Sequence, residues 1–184
     1  MRLGEDKPMS EVPFNLEQAR NRVDERVAAN PLLGEVDTVH VPDLDTAGLY
    51  AFSVTPRAIG RAGEVIFLVG PDEMLTAGTA GDFDSLMARV GVGTTPNVLE
   101  LPAFTRRFLR LRVLRNGVVL ERPDAHPLIK PGQLPARRFL RPAYDFGADG
   151  ARYRFWIFDT DRFVPVFWDV RVAPSGATTF ATEE

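Results

Sequence analysis

Cysteine is absent from the 184 residues of this chain, which excludes disulfides, thiolate nucleophiles and Cys-based zinc sites. Histidine is nearly as scarce, with only His40 and His126, so a transition-metal site would need distant carboxylates to complete it. Of the 22 basic residues only Lys7 and Lys130 are lysines. No apolar run approaches the about eighteen residues that span a membrane, and MRLGEDKPMSEV lacks the apolar stretch of a signal peptide. With no cysteine to oxidise, a cytoplasmic location is expected. Neither G-x-x-x-x-G-K-[ST], G-x-G-x-x-G nor G-x-S-x-G occurs, so nothing advertises nucleotide phosphates or a nucleophile elbow. These absences lean away from an enzyme, and no cofactor and no metal are expected.

What is present is a globular composition, 45% apolar and 26% charged, long enough for a real core. Its net charge of −3 hides an asymmetry. Residues 1–100 carry 8 basic and 16 acidic side chains, and residues 101–184 carry 14 and 9. Either the basic half meets an acidic partner or nucleic acid, or the two oppositely charged halves pack together or their charges are simply solvated. The second is preferred, because the arginines fall at strand-like alternation rather than in a lysine-rich block.

Residues 1–12 read as a polar, flexible tail. A helix follows with complete start signals: Asn15 as N-cap, Gln18 closing a capping box, and Phe14 placed to staple onto Ala19. Leu16, Ala19, Val23 and Val27 form its apolar face, and Asn30-Pro31 ends it. Strands are expected over residues 36–41, 49–55 and 64–69, with a turn at Gly70–Glu73 and a short strand at 74–77. Asp82 reads as the N-cap of a second helix whose Phe83, Leu86, Met87 and Val90 share a face, with Gly91 as its stop.

Gly91–Pro96 is the candidate boundary. Beyond it, Leu109, Leu111 and Val113 alternate with Arg110 and Arg112, predicting a strand over 108–115. Asn116-Gly117 then predicts a hairpin turn into Val118–Glu121. Residues 122–150 are rich in proline and read as a long excursion with little regular structure. Leu101-Pro102-Ala103 leading to Arg106-Arg107-Phe108-Leu109-Arg110 recurs as Leu134-Pro135-Ala136 leading to Arg137-Arg138-Phe139-Leu140-Arg141. A duplicated strand and chance both account for it.

The stretch Arg152–Val172 carries both tryptophans, Trp156 and Trp168. Two apolar runs flank Asp159-Thr160-Asp161-Arg162, which predicts a hairpin. An apolar strand ending in Asp-x-Asp resembles the nucleophile motif of haloacid-dehalogenase phosphotransferases. The residues after Asp161 hold no lysine, and Pro165 soon opens another strand, so a turn bearing two carboxylates is the better reading. Both hairpin faces are largely apolar, so either both are buried or one receives a partner or ligand. Trp168, on an otherwise all-valine face, is assigned to the core. Trp156 is the candidate for binding, with Arg154, Asp159 and Asp161 bringing polarity near it. Pro174–Glu184 reads as a second flexible tail.

The feature order in residues 13–92, NLEQARNRVDERV, GLYAFSV, EVIFLV with its GPDE turn, then DFDSLMARV, resembles the small YrhB-like bacterial immunity proteins of polymorphic toxin systems. The chain departs from that pattern where Tyr50 or Phe52 replaces a tryptophan, and its basic half has no counterpart there. The resemblance carries over no catalytic residue. It implies toxin neutralisation by tight binding.

The expected architecture is α+β: two amphipathic helices on a mainly antiparallel sheet, with a β-rich C-terminal half. Residues 13–92 form a helix-sheet-helix unit and residues 97–173 a β-rich unit, either packed on it or continuous with it. The expected function is a non-catalytic binding protein acting through a protein–protein surface, with a toxin as one partner. Arg106, Arg107 and Arg138 are the basic candidates. A small-ligand protein or enzyme with a cone-shaped cavity lined by Tyr153, Phe155 and Trp156 is the alternative. Third is a single-stranded nucleic-acid binder using Arg106, Arg107, Arg110, Arg112 and Arg115 with Phe104 and Phe108.

Overall fold

The computed structural model describes residues 13–31, 34–57 and 63–184; the expected tail over residues 1–12 lies outside them. The fold is α+β, built in layers. The first helix, α1 (Leu16–Ala28), starts with the expected capping box: Asn15 Oδ1 accepts from Gln18 N–H at 3.0 Å and Gln18 Oε1 from Asn15 N–H at 2.9 Å. Its apolar stripe, centred on Ala19 and Val23, lies against Phe52, Val54, Phe67 and Val69. Those four residues are one face of an antiparallel meander in the order β1 (Val36–His40), β2 (Tyr50–Pro56), β3 (Val65–Val69), β4 (Met74–Thr76). Strand β3 is apolar on both faces because it is covered on both: Ile66 and Leu68 point to the opposite side.

That opposite side is filled by two helices. In α2 (Ala80–Val90), Phe83, Leu86 and Met87 face inward, and Gly91 ends the helix with φ 79°. The helix begins two residues before Asp82. Thr79 is the N-cap, and the Asp82 carboxylate instead accepts the Thr76 N–H at 2.8 Å. The second filler is a correction to the sequence reading. Residues 108–113 are not a strand but a π-helical extension of a new helix, α3 (Leu101–Arg107). The alternation of leucine and arginine mimicked a strand. Helical spacing competes with it, since Phe104, Phe108 and Leu111 stand at i, i+4 and i+7 and are all buried. Pro102 in the first turn is a helix-start signal. The Asn116-Gly117 hairpin therefore does not form.

A second antiparallel sheet closes the core. Strand β5 (Gly117–Leu120) and β6 (Ala143–Gly147) both pair with the same side of β7 (Gly150–Asp159), one beyond the other. Strand β8 (Val164–Val172) pairs with β7 through the predicted hairpin, Trp156 opposite Phe167 and Phe155 opposite Trp168. The expected C-terminal tail is also corrected: Thr178–Glu183 is an ordered strand, β9, paired along β8 from Phe167 to Val172. Its polar side chains suit an edge strand, with Thr178, Phe180 and Thr182 on the side of the core residues Val172, Val170 and Trp168. The two LPA copies differ in structure, the first opening α3 and the second leading into a 3₁₀ turn at Ala136–Arg138, so no strand is duplicated.

Tyr153, Phe155, Ile157, Val166, Trp168 and Val170 form the inner face of the second sheet and share one apolar core with α2, α3, Ile66 and Leu68. The two expected units thus contribute to a single core. The outer face holds Trp156, Phe158 and Phe167, which the Pro-rich excursion covers with Leu134, Ile129 and Phe139. The layers run α1, first sheet, α2 with α3, second sheet, excursion. Within the core the Phe104 ring lies flat on Tyr153, centroids 3.6 Å apart and planes at 6°, contact of the kind that adds to simple area burial.

Replacing Phe104 with alanine is expected to destabilise the fold by about 3–5 kcal/mol, the range for a fully buried phenylalanine. Phe180→Ala, on the half-exposed edge, should cost under about 1.5 kcal/mol. Urea midpoints at unchanged slope measure both.

Candidate binding groove

Helix α3 presents Pro102, Thr105, Arg106, Leu109 and Arg110 toward β5, positions spaced i, i+3, i+4, i+7 and i+8 along one helical face. Between this face and β5 runs an open groove of about 520 Å³, completed by Arg115, Asn116, Gly117, Val118, Val119 and Thr160. Its apolar lining comes from Pro102, Leu109, Val118 and Val119. Three arginines line it and no carboxylate does.

Two of the arginines are hydrogen-bonded to carboxylates outside the lining. Arg106 Nη1 donates to Asp43 at 3.0 Å. Arg110 donates to both Glu64 oxygens, at 2.7 and 2.6 Å. Arg115 stands 4.0 Å from Asp159, beyond hydrogen-bond reach. The groove end is fixed by the hairpin turn. Buried Asp159 accepts the N–H groups of Asp161 and Arg162, both at 3.0 Å, which is the work of a turn cap. Asp161 in turn accepts the Asn116 backbone N–H at 3.2 Å.

The sequence-predicted site residues are only partly brought together. Arg106 lines the groove, and Asp159 and Asp161 stand behind its rim. Arg107 projects elsewhere on α3, donating to the Asp45 carbonyl at 2.8 Å and to Thr46 Oγ1; burial holds its guanidinium below the ordinary arginine value, with Arg106 adding to the effect. Arg138 is exposed on the 3₁₀ turn over the far face of the second sheet. Arg154 lies on that far face, donating to Asp145 at 2.6 Å. Trp156 is corrected from binding anchor to core: it is 3% exposed, less than Trp168 at 8%. Its buried indole N–H has no hydrogen-bond partner among the described residues.

The cone-shaped cavity is corrected too. Tyr153 and Phe155 point into the central core while Trp156 points out the other side of β7, so the three cannot line one space. Tyr153 donates its hydroxyl to the Leu99 carbonyl at 3.0 Å, and burial pushes its pKa well up. Arg110 and Arg115 were named only for the nucleic-acid reading; the spacing of four between Arg106 and Arg110 was the signal that these two share a face, once the segment is read as helix.

The histidines are structural in setting. His40 Nε2 lies 2.9 Å from Asp45, its one hydrogen-bond partner among the described residues. His126 stacks on Phe158 at 4.1 Å as part of the excursion's cover. Among the described residues no three His, Asp or Glu side chains gather to hold a metal, and no helix is long and apolar enough to cross a membrane. No family model, curated protein or solved structure matches the chain.

Beside Arg154, Arg152 grips Asp169 through two hydrogen bonds of 2.8 and 2.6 Å. That hydrogen bonding holds the Asp169 carboxyl below its ordinary value of 3.8, against the opposing effect of burial. A depressed folded-state pKa contributes stability that is complete above the unfolded value and lost as pH falls through the folded one. The stability gap between wild type and Asp169→Asn should accordingly be open at pH 7 and close on acidification below the ordinary carboxylate range. Denaturation at a series of pH values measures it; a gap independent of pH would refute the pairing.

Proposed function

We propose that this is a non-catalytic binding protein acting through a protein–protein surface, with the groove between α3 and β5 as the recognition site. The observation that carries the reading is the lining itself: Arg106, Arg110 and Arg115 around an apolar strip, with no carboxylate, on a chain of net charge −3. Arginine beside apolar side chains is the composition enriched at interface centres. The partner it suits presents carboxylates next to aliphatic side chains. A toxin neutralised by being covered is a partner of this class, supported by the resemblance of residues 13–92 to YrhB-like immunity proteins.

A small carboxylate-bearing ligand is the second reading, favoured by a groove volume of about 520 Å³, inside the roughly 300–1,000 Å³ of ligand sites. Single-stranded nucleic acid fits less well. Phe104 and Phe108 are fully buried and have no ring face free to stack on a base.

The paired substitution Arg106→Glu with Arg115→Glu is expected to weaken partner binding at least about tenfold, since hydrogen bonds to charged groups carry about 1.5–3 kcal/mol each. Arg171→Glu, exposed on the far face of the second sheet, should leave it unchanged. Partners captured by the wild-type protein from its own cells, then purified and titrated calorimetrically against all three forms, provide the measurement. Co-expression with a toxin encoded beside the gene tests the narrower version by growth protection. Equal affinity for wild type and the paired variant would overturn the groove as the site.

A further inference from the structure

Strand β5 has a backbone that the fold leaves half used. Among the described residues it pairs on one side only, with β7. The phase of that ladder is set where the Thr160 N–H donates to the Asn116 carbonyl at 3.2 Å. Hydrogen-bonded and non-bonded pairs alternate along an antiparallel ladder. Val118, opposite Phe158, and Leu120, opposite Trp156, are therefore in the bonded phase. Gly117 and Val119 direct their N–H and C=O groups the other way, and both residues line the groove. Among the described residues no hydrogen bond reaches either of those outward backbones.

This edge lies opposite the arginines of α3. An edge of unpaired N–H and C=O groups is a template for another strand, and here a cationic wall runs beside it. An incoming chain bonded to Gly117 and Val119 would lie about 4.8 Å from β5. Its alternate side chains would sit on the apolar strip or near the guanidinium groups.

We infer that the partner docks by strand addition: an extended segment alternating aliphatic and acidic residues pairs with the free edge of β5, its carboxylates meeting Arg106, Arg110 and Arg115. The inference rests on the groove being the recognition site and adds the chemistry and conformation of what enters it. Backbone pairing supplies sequence-tolerant affinity, while the arginines select for acidic segments. Charge complementarity argues for such a segment over a second copy of this chain, whose own groove carries the same positive sign.

The test uses the full chain and, as probe, a capped peptide of alternating valine and glutamate about six residues long, enough to span the four residues of β5. Titration followed by amide hydrogen exchange is expected to show binding that slows exchange at Gly117 and Val119. Exchange at Val118 and Leu120, already bonded to β7, should change little. Arg106→Glu should weaken the peptide at least tenfold, and a fully N-methylated peptide should not bind.

Equal binding of the methylated peptide overturns strand addition. So does binding that leaves Gly117 and Val119 exchanging freely; if Arg106→Glu still abolishes it, the groove stands as the site and only the docking mode fails. No binding at millimolar peptide overturns the inference as well. Protection of these two amides that grows with protein concentration, peptide absent, overturns it in favour of pairing between copies. If the natural partner binds independently of the groove arginines, it is the groove reading that fails.

Discussion

Helix α3 is wedged between two sheets by its aromatic side chains, and the rest of the molecule depends on that wedge. Phe104 stacks flat on Tyr153 of β7, while Phe108 meets Phe83 of α2, Phe155 of β7, Trp168 of β8 and Phe180 of β9 edge-on, at centroid distances of 5.2–6.3 Å. One helix therefore touches nearly every layer of the core. Close packing of this kind fixes rotation about the helix axis, because an aromatic face fits its neighbour in few ways. With Phe104 and Phe108 turned inward, Arg106 and Arg110 must lie along the rim. The groove follows from the wedge.

Polar contacts then join the two halves of the chain where the apolar core ends. Arg106 reaches Asp43, Arg110 reaches Glu64, and Arg107 holds the loop at Asp45 and Thr46. All three cross from the basic half to the acidic one, so the charge asymmetry seen in the sequence is partly consumed inside the fold. The exposed Arg106–Asp43 pair contributes little by itself. Arg107 is different, since its hydrogen bonds secure a loop whose tight turn places Ala47 at φ 52° and Gly48 at φ 78°. The last strand is tied in with similar economy. A Cβ on Gly176, at φ 88°, would come within 2.4 Å of the Asp84 carbonyl, and the Asp84 side chain accepts the Thr178 N–H at 3.0 Å. Only glycine lets β9 start this close to α2.

How far the sequence was legible depended on whether one period dominated each segment. Asn15 and Gln18 bonded as read, and β3 behaved as a strand buried on both faces, because each signal stood without a rival. The Arg152–Val172 hairpin, with its Asp159 turn, was equally plain. Residues 101–113 carried two periods at once. Leucine and arginine alternated as in a strand, while the buried aromatics recurred at helical spacing, and tertiary packing chose the helix. The π-helical turn at Phe108–Val113 blurred the helical period further. Thr178–Glu183 failed for another reason: an edge strand needs few apolar residues, so its sequence resembles a tail. The site inherited the first of these errors, since three of its arginines lie on or just after the misread helix. Trp156 was read as a binding candidate because nothing in the Pro-rich excursion announced that Leu134 and Phe139 would cover it.

The sheet edges show why the groove stands apart from other open surfaces. Strand β1 is flanked by a charged pair, Asp37 with Arg57, and β9 ends in Glu183 and Glu184, with Glu184 paired to Arg162. Charges of both signs along an edge discourage indiscriminate pairing. At β5 the charged side chains that line the groove are all cationic, and the carboxylates Asp43, Glu64 and Asp159 stand outside that lining. Same-sign cations held near one another are not a stabilising arrangement in the isolated protein. Asp43 and Glu64 offset part of that repulsion, and Asp159 stands 4.0 Å from Arg115. The core aromatics Phe104, Phe108, Tyr153 and Phe155 are buried and supply stability elsewhere in the fold. On the proposed reading, the cations lining the groove at β5 serve what approaches it rather than what holds the fold together.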